Sequence, residues 1–192
     1  MRSLSGILSL VAASCVLALW APRVCADVSL TTSWERPVIF KIVDAESAGP
    51  PSQALLIIKT EKRVTGSAEP VYFYSVSKVP VTGLADYRIS STSTGADVRV
   101  VAPGYALLTQ KLLWKALPDR KIDSSGIETS VPTITLEVKP LREARAWQRE
   151  FRFIIAPELE DLLPLQPPFL SRDEHRIINE FLNRERDRML GL

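Results

Sequence analysis

The chain has 192 residues, with 24 basic and 22 acidic side chains, two cysteines and one histidine. Cys15 and Cys25, together with the basic residues Arg2 and Arg23, all precede residue 27, so the remainder is balanced in charge and has no thiol. For that remainder the composition excludes a basic nucleic-acid-binding protein, a disulfide-bonded scaffold and a thiol-based enzyme or zinc site.

The first 26 residues have the pattern of a secretory signal peptide. A basic start is followed by a run without charge over residues 7–20, and Val24 and Ala26 are compact residues before a cleavage point at Asp27. An uncleaved anchor fits less well, because a bilayer span needs about 20 apolar residues. A lipid anchor on Cys15 is a further alternative. We therefore expect a secreted or periplasmic protein, with no transmembrane span after cleavage.

Residues 27–156 have the pattern of an all-β domain. Runs rich in Val, Ile, Tyr and Phe alternate with clusters of Gly, Pro, Ser and Asp, which predicts an antiparallel β-sandwich of about seven or eight strands. The predicted strands are residues 38–43, 54–60, 71–76, 86–90, 97–102, 107–114 and 133–139, with 151–155 as a candidate eighth. The continuously apolar run 54–58 is typical of a central strand covered on both faces.

The end of the chain changes character. Four prolines fall between residues 157 and 168, so residues 157–170 are predicted to form an extended Pro-rich strap with one helical turn at 158–162. Residues 171–192 are predicted to form an amphipathic helix that begins with a capping box of Ser171 and Glu174. Its arginines are matched by as many acidic residues, which indicates a solvated face laced with ion pairs.

Three short motifs are also informative. Residues 43–50 read Val-Asp-Ala-Glu-Ser-Ala-Gly-Pro, and Tyr87-Arg88-Ile89 is followed at 98–105 by Val-Arg-Val-Val-Ala-Pro-Gly-Tyr. Over residues 37–114 this pattern resembles carboxypeptidase-regulatory-like, transthyretin-type β-sandwich domains. The resemblance implies the fold and, without a zinc motif, an accessory domain rather than the enzyme. Gly104 is expected to adopt a positive φ in the tight turn.

The residue types that usually carry catalysis are sparse. His175 is the single histidine, has no second histidine with which to bind zinc, and is expected on the surface of the C-terminal helix. The eight glycines form neither a nucleophile elbow nor a phosphate-binding loop. We expect a protein that is not an enzyme and needs no cofactor or metal, with a hydrolase of unrecognised site as the third hypothesis.

The leading hypothesis is a module that binds another envelope or extracellular protein. Its candidate residues lie on the apolar face of the C-terminal helix and in the locally basic stretch 139–152. They are Ile177, Ile178, Phe181, Leu182, Arg142, Arg145, Trp147 and Arg149. The helix either docks in a groove of the partner or closes its own core. The basic stretch is either a binding surface or a solvated connector whose Trp147 plugs the end of the sandwich.

A carbohydrate-binding module is the alternative function. Tyr72, Tyr74 and Trp114 are candidates for a platform on which sugar rings stack. Tyr72 and Tyr74 share one face of their predicted strand and Phe73 takes the other, so only one of these two sets can be exposed.

Overall fold

A computed structural model describes residues 35–62, 69–90, 93–117 and 131–191. The predicted signal segment 1–26, with Cys15 and Cys25, lies outside these described residues. The described strands are β1 Glu35–Asp44, β2 Leu55–Lys62, β3 Val71–Lys78, β4 Leu84–Ser90, β5 Ser93–Val101, β6 Leu108–Leu113 and β7 Thr133–Val138. The helices that follow are α1 Ala144–Glu150, α2 Ala156–Glu160 and α3 Arg172–Leu190. All seven predicted strands are confirmed.

The strands form two sheets. One has three strands in the order β4-β1-β7, and the other has four in the order β3-β2-β5-β6. All neighbours are antiparallel except β1 and β7, which pair in parallel from Ile39 opposite Thr133 to Asp44 opposite Val138. The expectation of a wholly antiparallel fold is therefore wrong for this pair. The alternation of apolar residues within a strand predicts which face is buried but carries no information on the direction of its partner.

Strand β2 is covered on both faces, as its continuous apolar run predicts. Leu56 and Ile58 belong to a hydrophobic cluster that also contains Phe40 of β1 and Leu136 of β7, so the two sheets share this cluster. Leu55 and Ile57 point the other way, into a second cluster formed with the helices. Burying such a side chain stabilises the fold by about 1.5–3 kcal/mol.

Residues 151–155 are helical, so the candidate eighth strand is wrong. This segment is a π-helical turn, Phe151–Ile155, that joins α1 to α2. Phe151 and Ile155 are buried in the second cluster, whereas Phe153 is 71% exposed. Burial of residues four positions apart follows the helical period, which short apolar runs do not distinguish from the strand period.

The C-terminal helix α3 begins with the predicted capping box. The Ser171 hydroxyl accepts a hydrogen bond from the Glu174 amide at 3.3 Å, and the Glu174 carboxylate accepts one from the Ser171 amide at 2.7 Å. The second Glu174 oxygen accepts a hydrogen bond from the amide of Val76 at 2.9 Å. The Tyr74 amide donates to the carbonyl of Phe169 at 2.9 Å, so the C-terminal segment also covers the outer edge of β3.

The segment predicted to be a Pro-rich strap starts with helix α2, which carries Pro157 in its first turn. Leu159 and Leu162 are buried in the second cluster, and residues 161–164 form turns. Among the described helices, none combines the length and the apolar character that crossing a bilayer requires.

The two turns that carry the family resemblance contact each other. Tyr105 donates a hydrogen bond from its hydroxyl to Asp44 at 2.9 Å, and Asp44 also accepts from the amides of Glu46 and Ser47. These bonds, first that from Glu46, lower the pKa of Asp44, while burial and the Asp44 contact raise the pKa of Tyr105. Gly104 has a φ of +85°, which confirms the expected left-handed conformation.

Candidate binding surfaces

The apolar face of α3 packs inside the chain. Ile178, Phe181 and Leu182 are buried in the cluster that covers the outer face of the four-stranded sheet, and Ile177 packs against it partly buried. The prediction that these four residues contact a partner is therefore wrong for the three that are buried. A chain's own sheet and a partner's groove require the same helical spacing of apolar residues, so the sequence does not distinguish them.

Trp147 is also buried, so the prediction that it contacts a partner is wrong. The residue is 6% exposed, and the centre of its ring lies 5.8 Å from that of Phe151. Its indole nitrogen donates a hydrogen bond to Glu185 at 3.1 Å. Glu185 is itself 1% exposed. The Trp147–Glu185 hydrogen bond joins α1 to α3, and it gives both buried polar groups a partner.

Three arginines of this region lie on a single exposed face. We name it the arginine stripe, and it consists of Arg145, Gln148, Arg149, Arg152 and Phe153. Their spacing of three and four residues follows the helical period. The stripe and Glu143 line an open depression of about 470 Å³, and among the described residues no other element contributes to it. Arg142 is exposed just before α1 begins. The predictions for Arg142, Arg145 and Arg149 are consistent with these exposed positions.

The arginines of the stripe have no acidic partner in the described part of the chain. No ion pair or hydrogen bond is found there for the side chains of Arg145, Arg149 or Arg152. The nearest acidic residue in sequence outside the stripe, Glu150, instead accepts a hydrogen bond from the amide of Leu107 at 2.7 Å. The stripe therefore presents to solvent three positive charges that no described acidic residue pairs.

Two exposed apolar residues beside these arginines were missed by the sequence analysis. Phe153 is 71% exposed and Ile154 is 46% exposed, in the π-helical turn that follows α1. The candidate strand at residues 151–155 would place Phe153 on the same face as Phe151 and Ile155, because side chains alternate along a strand. Continuing the helical spacing from Arg145 through Arg149 would have placed Phe153 on the basic face.

The predicted sugar platform is split between two faces of the four-stranded sheet. Trp114 is 8% exposed in the cluster between the sheets, where its indole nitrogen donates to Ser93 at 3.2 Å. Tyr74 packs partly buried on the opposite cluster, and Tyr72 on the same side is 40% exposed. A common platform of Tyr72, Tyr74 and Trp114 is therefore wrong, because Trp114 fills the core.

His175 has a structural role in the C-terminal segment. One ring nitrogen lies 2.7 Å from the carbonyl oxygen of Ser171, and the other lies 3.1 Å from that of Leu163. A neutral imidazole has a single N–H, so in that form the ring donates to one of these two carbonyl oxygens. In residues 35–62, 69–90, 93–117 and 131–191, no group of three His, Cys, Asp or Glu residues is placed to hold a metal ion.

Comparison with known proteins adds no family. No protein-family model matches the chain, and no curated protein matches it significantly.

Proposed function

We propose that this chain is an exported, non-catalytic β-sandwich module that binds another envelope or extracellular protein through the arginine stripe. The sandwich arrangement is supported by the hydrophobic cluster to which both sheets contribute, Phe40 and Leu136 from one and Leu56 and Val98 from the other. A relationship to carboxypeptidase-regulatory-like domains stays a prediction, supported by the contact between Tyr105 and Asp44.

The observation that carries the proposal is the combination of unpaired arginines with an exposed aromatic ring on one helical face. Arg149 and Arg152 flank Phe153, which leaves 71% of its surface in water. Arginine and aromatic residues are enriched where proteins bind one another, and they contribute most of the binding energy there. A partner that covers the Phe153 ring removes apolar surface from water, and this stabilises the complex.

The same residues define the chemistry of the partner. Three arginines against Glu143 require an acidic face, and Phe153 with Ile154 requires an apolar spot within that face. Charge complementarity of this kind speeds association and weakens as salt screens the charges over about 10 Å at 0.1 M ionic strength. We therefore expect complex formation to fall as ionic strength rises.

Site-specific photocrosslinking in a native envelope extract tests the proposal. A photoreactive residue at position 153 is expected to form one discrete adduct with an envelope protein, and Arg149→Glu with Arg152→Glu is expected to abolish it. The same probe at Val81, which is 93% exposed on a turn, is the matched control and is expected to form no such adduct. Arg88→Glu, on strand β4, controls for charge reversal elsewhere.

Two outcomes contradict the proposal. The first is an adduct from position 153 that persists after both arginines are reversed, because the stripe would then contribute nothing to the contact. The second is equal adduct formation from positions 153 and 81. Circular dichroism of each variant checks that the fold is retained.

Export is the part of the proposal that rests on the sequence pattern of residues 1–26. Mass spectrometry of the protein from its native source is expected to show a chain that begins at Asp27. A lipid-modified chain that begins at Cys15 would support the lipoprotein alternative instead. A protein that retains residues 1–26 in the cytoplasm contradicts export.

A further inference from the structure

A small pocket lies between α3 and the end of the four-stranded sheet at which β2 begins and β3 ends. Its volume is about 200 Å³. We name it the α3 pocket, and its apolar lining consists of Ala54, Leu55, Val79, Val81 and Phe181. Four of these residues are buried, whereas Val81, on the turn after β3, is 93% exposed and so forms a lip. The pocket offers apolar walls to a ligand that enters from solvent.

Backbone hydrogen bonds hold the walls of the α3 pocket in place. The Val79 amide donates to the carbonyl of Ala54 at 2.8 Å, which ties the turn after β3 to the start of β2. The Ile42 amide donates to the carbonyl of Gly83 at 2.8 Å, which ties the same turn to β1. The fold itself therefore forms the cavity before any ligand binds, as is usual for small-molecule sites.

The polar rim of the α3 pocket is positively charged. It consists of the exposed residues Gln53, Lys78 and Arg184. Among the described residues, no acidic side chain lines the pocket. The Lys78 ammonium is paired with Glu180 at 2.6 Å, so Arg184 supplies the charge that is open to a ligand.

The structure leaves Arg184 without an acidic partner among the described residues. Glu180 lies one helical turn earlier, but its two carboxylate oxygens contact Lys78 at 2.6 Å and Arg176 at 3.5 Å. The Arg184 guanidinium instead donates to the side-chain oxygen of Gln53 at 3.4 Å. Because that oxygen accepts from Arg184, the NH₂ group of Gln53 is available as a second donor at the rim.

The backbone of Gln53 has an unusual conformation beside Arg184. Its φ is +61°, in the left-handed region that residues with a side chain rarely adopt. Such a conformation persists where the surrounding structure enforces it, and it is found most often at ligand-binding and active sites. The Gln53 amide is thus fixed at the rim at a cost in backbone strain.

We propose that the α3 pocket binds a short amphiphile with an alkyl chain and a carboxylate head, of the chemical class of medium-chain fatty acids. The guanidinium of Arg184 and the NH₂ group of Gln53 donate to the carboxylate oxygens, and a charged acceptor strengthens these hydrogen bonds. The alkyl chain covers the apolar walls and Val81, which removes their surface from water. The volume is below the about 300–1,000 Å³ of pockets for drug-sized ligands, which suits a short chain and not a whole lipid.

A fatty acid fits this pocket better than the carboxyl terminus of a peptide. A peptide brings backbone N–H groups that need acceptors, whereas the rim side chains offer donors. Strand β2 is paired on both sides, and the outer edge of β3 is bonded at Tyr74 and Val76, which leaves little edge for a peptide strand to join. The pocket shares no residue with the arginine stripe, so this inference does not rest on the proposed function.

Titration of the folded protein with octanoate below its micelle concentration, followed by amide NMR shifts, tests this site. We expect octanoate to shift the amides of residues 53–55, 79, 81 and 181–184. Octanol has the same chain without the charge and is expected to bind at least tenfold more weakly. Octylammonium reverses the charge of the head and is expected not to bind.

Two variants with matched controls locate the contacts. Arg184→Gln is expected to weaken octanoate binding at least tenfold, and Arg172→Gln, at another exposed position of α3, is expected to leave it unchanged. Val81→Asp places a negative charge at the lip and is expected to weaken binding at least tenfold. Leu190→Asp, at a residue that is 74% exposed, is its control and is expected to have no effect. All four positions are exposed, and circular dichroism checks that each variant folds.

Four outcomes overturn the proposal. The first is that octanoate does not bind folded protein, and the second is that octanol binds as tightly, because the head group would then select nothing. The third is octanoate binding that Arg184→Gln leaves unchanged, or shifts confined to residues 145–153 of the arginine stripe. The fourth is tighter binding of N-acetyl-leucyl-leucine than of octanoate, which would reassign the pocket to the carboxyl terminus of a protein. The crosslinking experiment at position 153 probes another surface, so a failure here leaves its result intact.

Discussion

Helix α3 and the arginine stripe lie in the same helical part of the chain, and both are rich in arginine. Four of the five arginines of α3 have a partner among the described residues: Arg176 contacts Asp173 and Glu180, Arg184 contacts Gln53, Arg186 pairs with Glu160 of α2, and Arg188 lies 3.9 Å from Glu185. Those of the stripe have no such partner in the described residues. The apolar residues differ in the same way, since α3 buries Phe181 and the stripe exposes Phe153.

This difference separates a helix that completes the fold from one that is available to a partner. In α3 most of the charges are paired and the apolar face covers the sheet, so substitutions there are expected to act first on stability. In the stripe neither charge nor exposed apolar surface has a partner among the described residues, so substitutions there are expected to act on the proposed binding. Variants in the two segments test that separation.

Removal of residues 171–192 is expected to abolish folding. Without α3, Leu55, Ile57 and Val76 lose the cover of Ile178, Phe181 and Leu182, and the edge of β3 loses its Glu174 partner. We expect no cooperative thermal transition by circular dichroism. Removal of only residues 190–192 is the control, because Leu190 is 74% exposed, and it should retain the transition. A cooperative transition after the longer deletion would show that the domain folds without α3, and it would support the prediction that α3 binds a partner.

Phe181→Ala is expected to destabilise the protein by about 3–5 kcal/mol in urea unfolding, through lost burial and the cavity left behind. Phe181 is 5% exposed and lies 6.4 Å from the ring of Phe151. Phe153→Ala is the matched substitution in the stripe and should change the free energy of unfolding little, because that ring is already in water. Similar losses from the two variants would contradict the difference between the two segments.

Glu185→Ala is expected to cost roughly 1–3 kcal/mol, because it leaves the buried indole N–H of Trp147 without an acceptor. Glu185→Gln keeps an oxygen at the same place and should lose less of the stability. Chemical denaturation of both variants measures the difference. An alanine variant as stable as the glutamine variant would show that the Trp147–Glu185 hydrogen bond does not hold α1 against α3.

Much of the fold follows from local pattern. The seven strands, the two-sided burial of β2 and the capping box of Ser171 each depend on residues close together in sequence, and the structure confirms them. The parallel pairing of β1 with β7 depends on segments about a hundred residues apart, and no local pattern specifies it. The sequence does not predict the helical turn at residues 151–155, because a run of five mostly apolar residues fits the period of a strand as well as that of a helix.

The surfaces were predicted less well than the fold. The local charge excess correctly indicated exposed arginines at positions 142, 145 and 149, because burying unpaired charge is costly. Aromatic and apolar side chains carry no such constraint, so Trp114, Trp147 and Phe181 were proposed as contacts although they fill the core.

The smallest expected effect is a change in the acid dependence of stability at Glu180 of α3. The Lys78 ammonium lies 2.6 Å from this carboxylate, and its hydrogen bond, followed by its charge, lowers the pKa of Glu180 below the ordinary 4.5. A carboxyl whose folded pKa is lowered contributes stability above its unfolded pKa, and that contribution is lost as pH falls through the folded value. Wild-type protein should therefore lose more stability than Glu180→Gln between about pH 6 and pH 3.

In a Lys78→Met background most of the difference between Glu180 and its glutamine variant should disappear, because the chief cause of the lowered pKa has been removed. Unfolding midpoints of wild type, Glu180→Gln, Lys78→Met and the double variant across this pH range measure the effect. An equal acid dependence in all four would mean that the Lys78–Glu180 ion pair contributes as little to the stability of the fold as the arginines of the stripe.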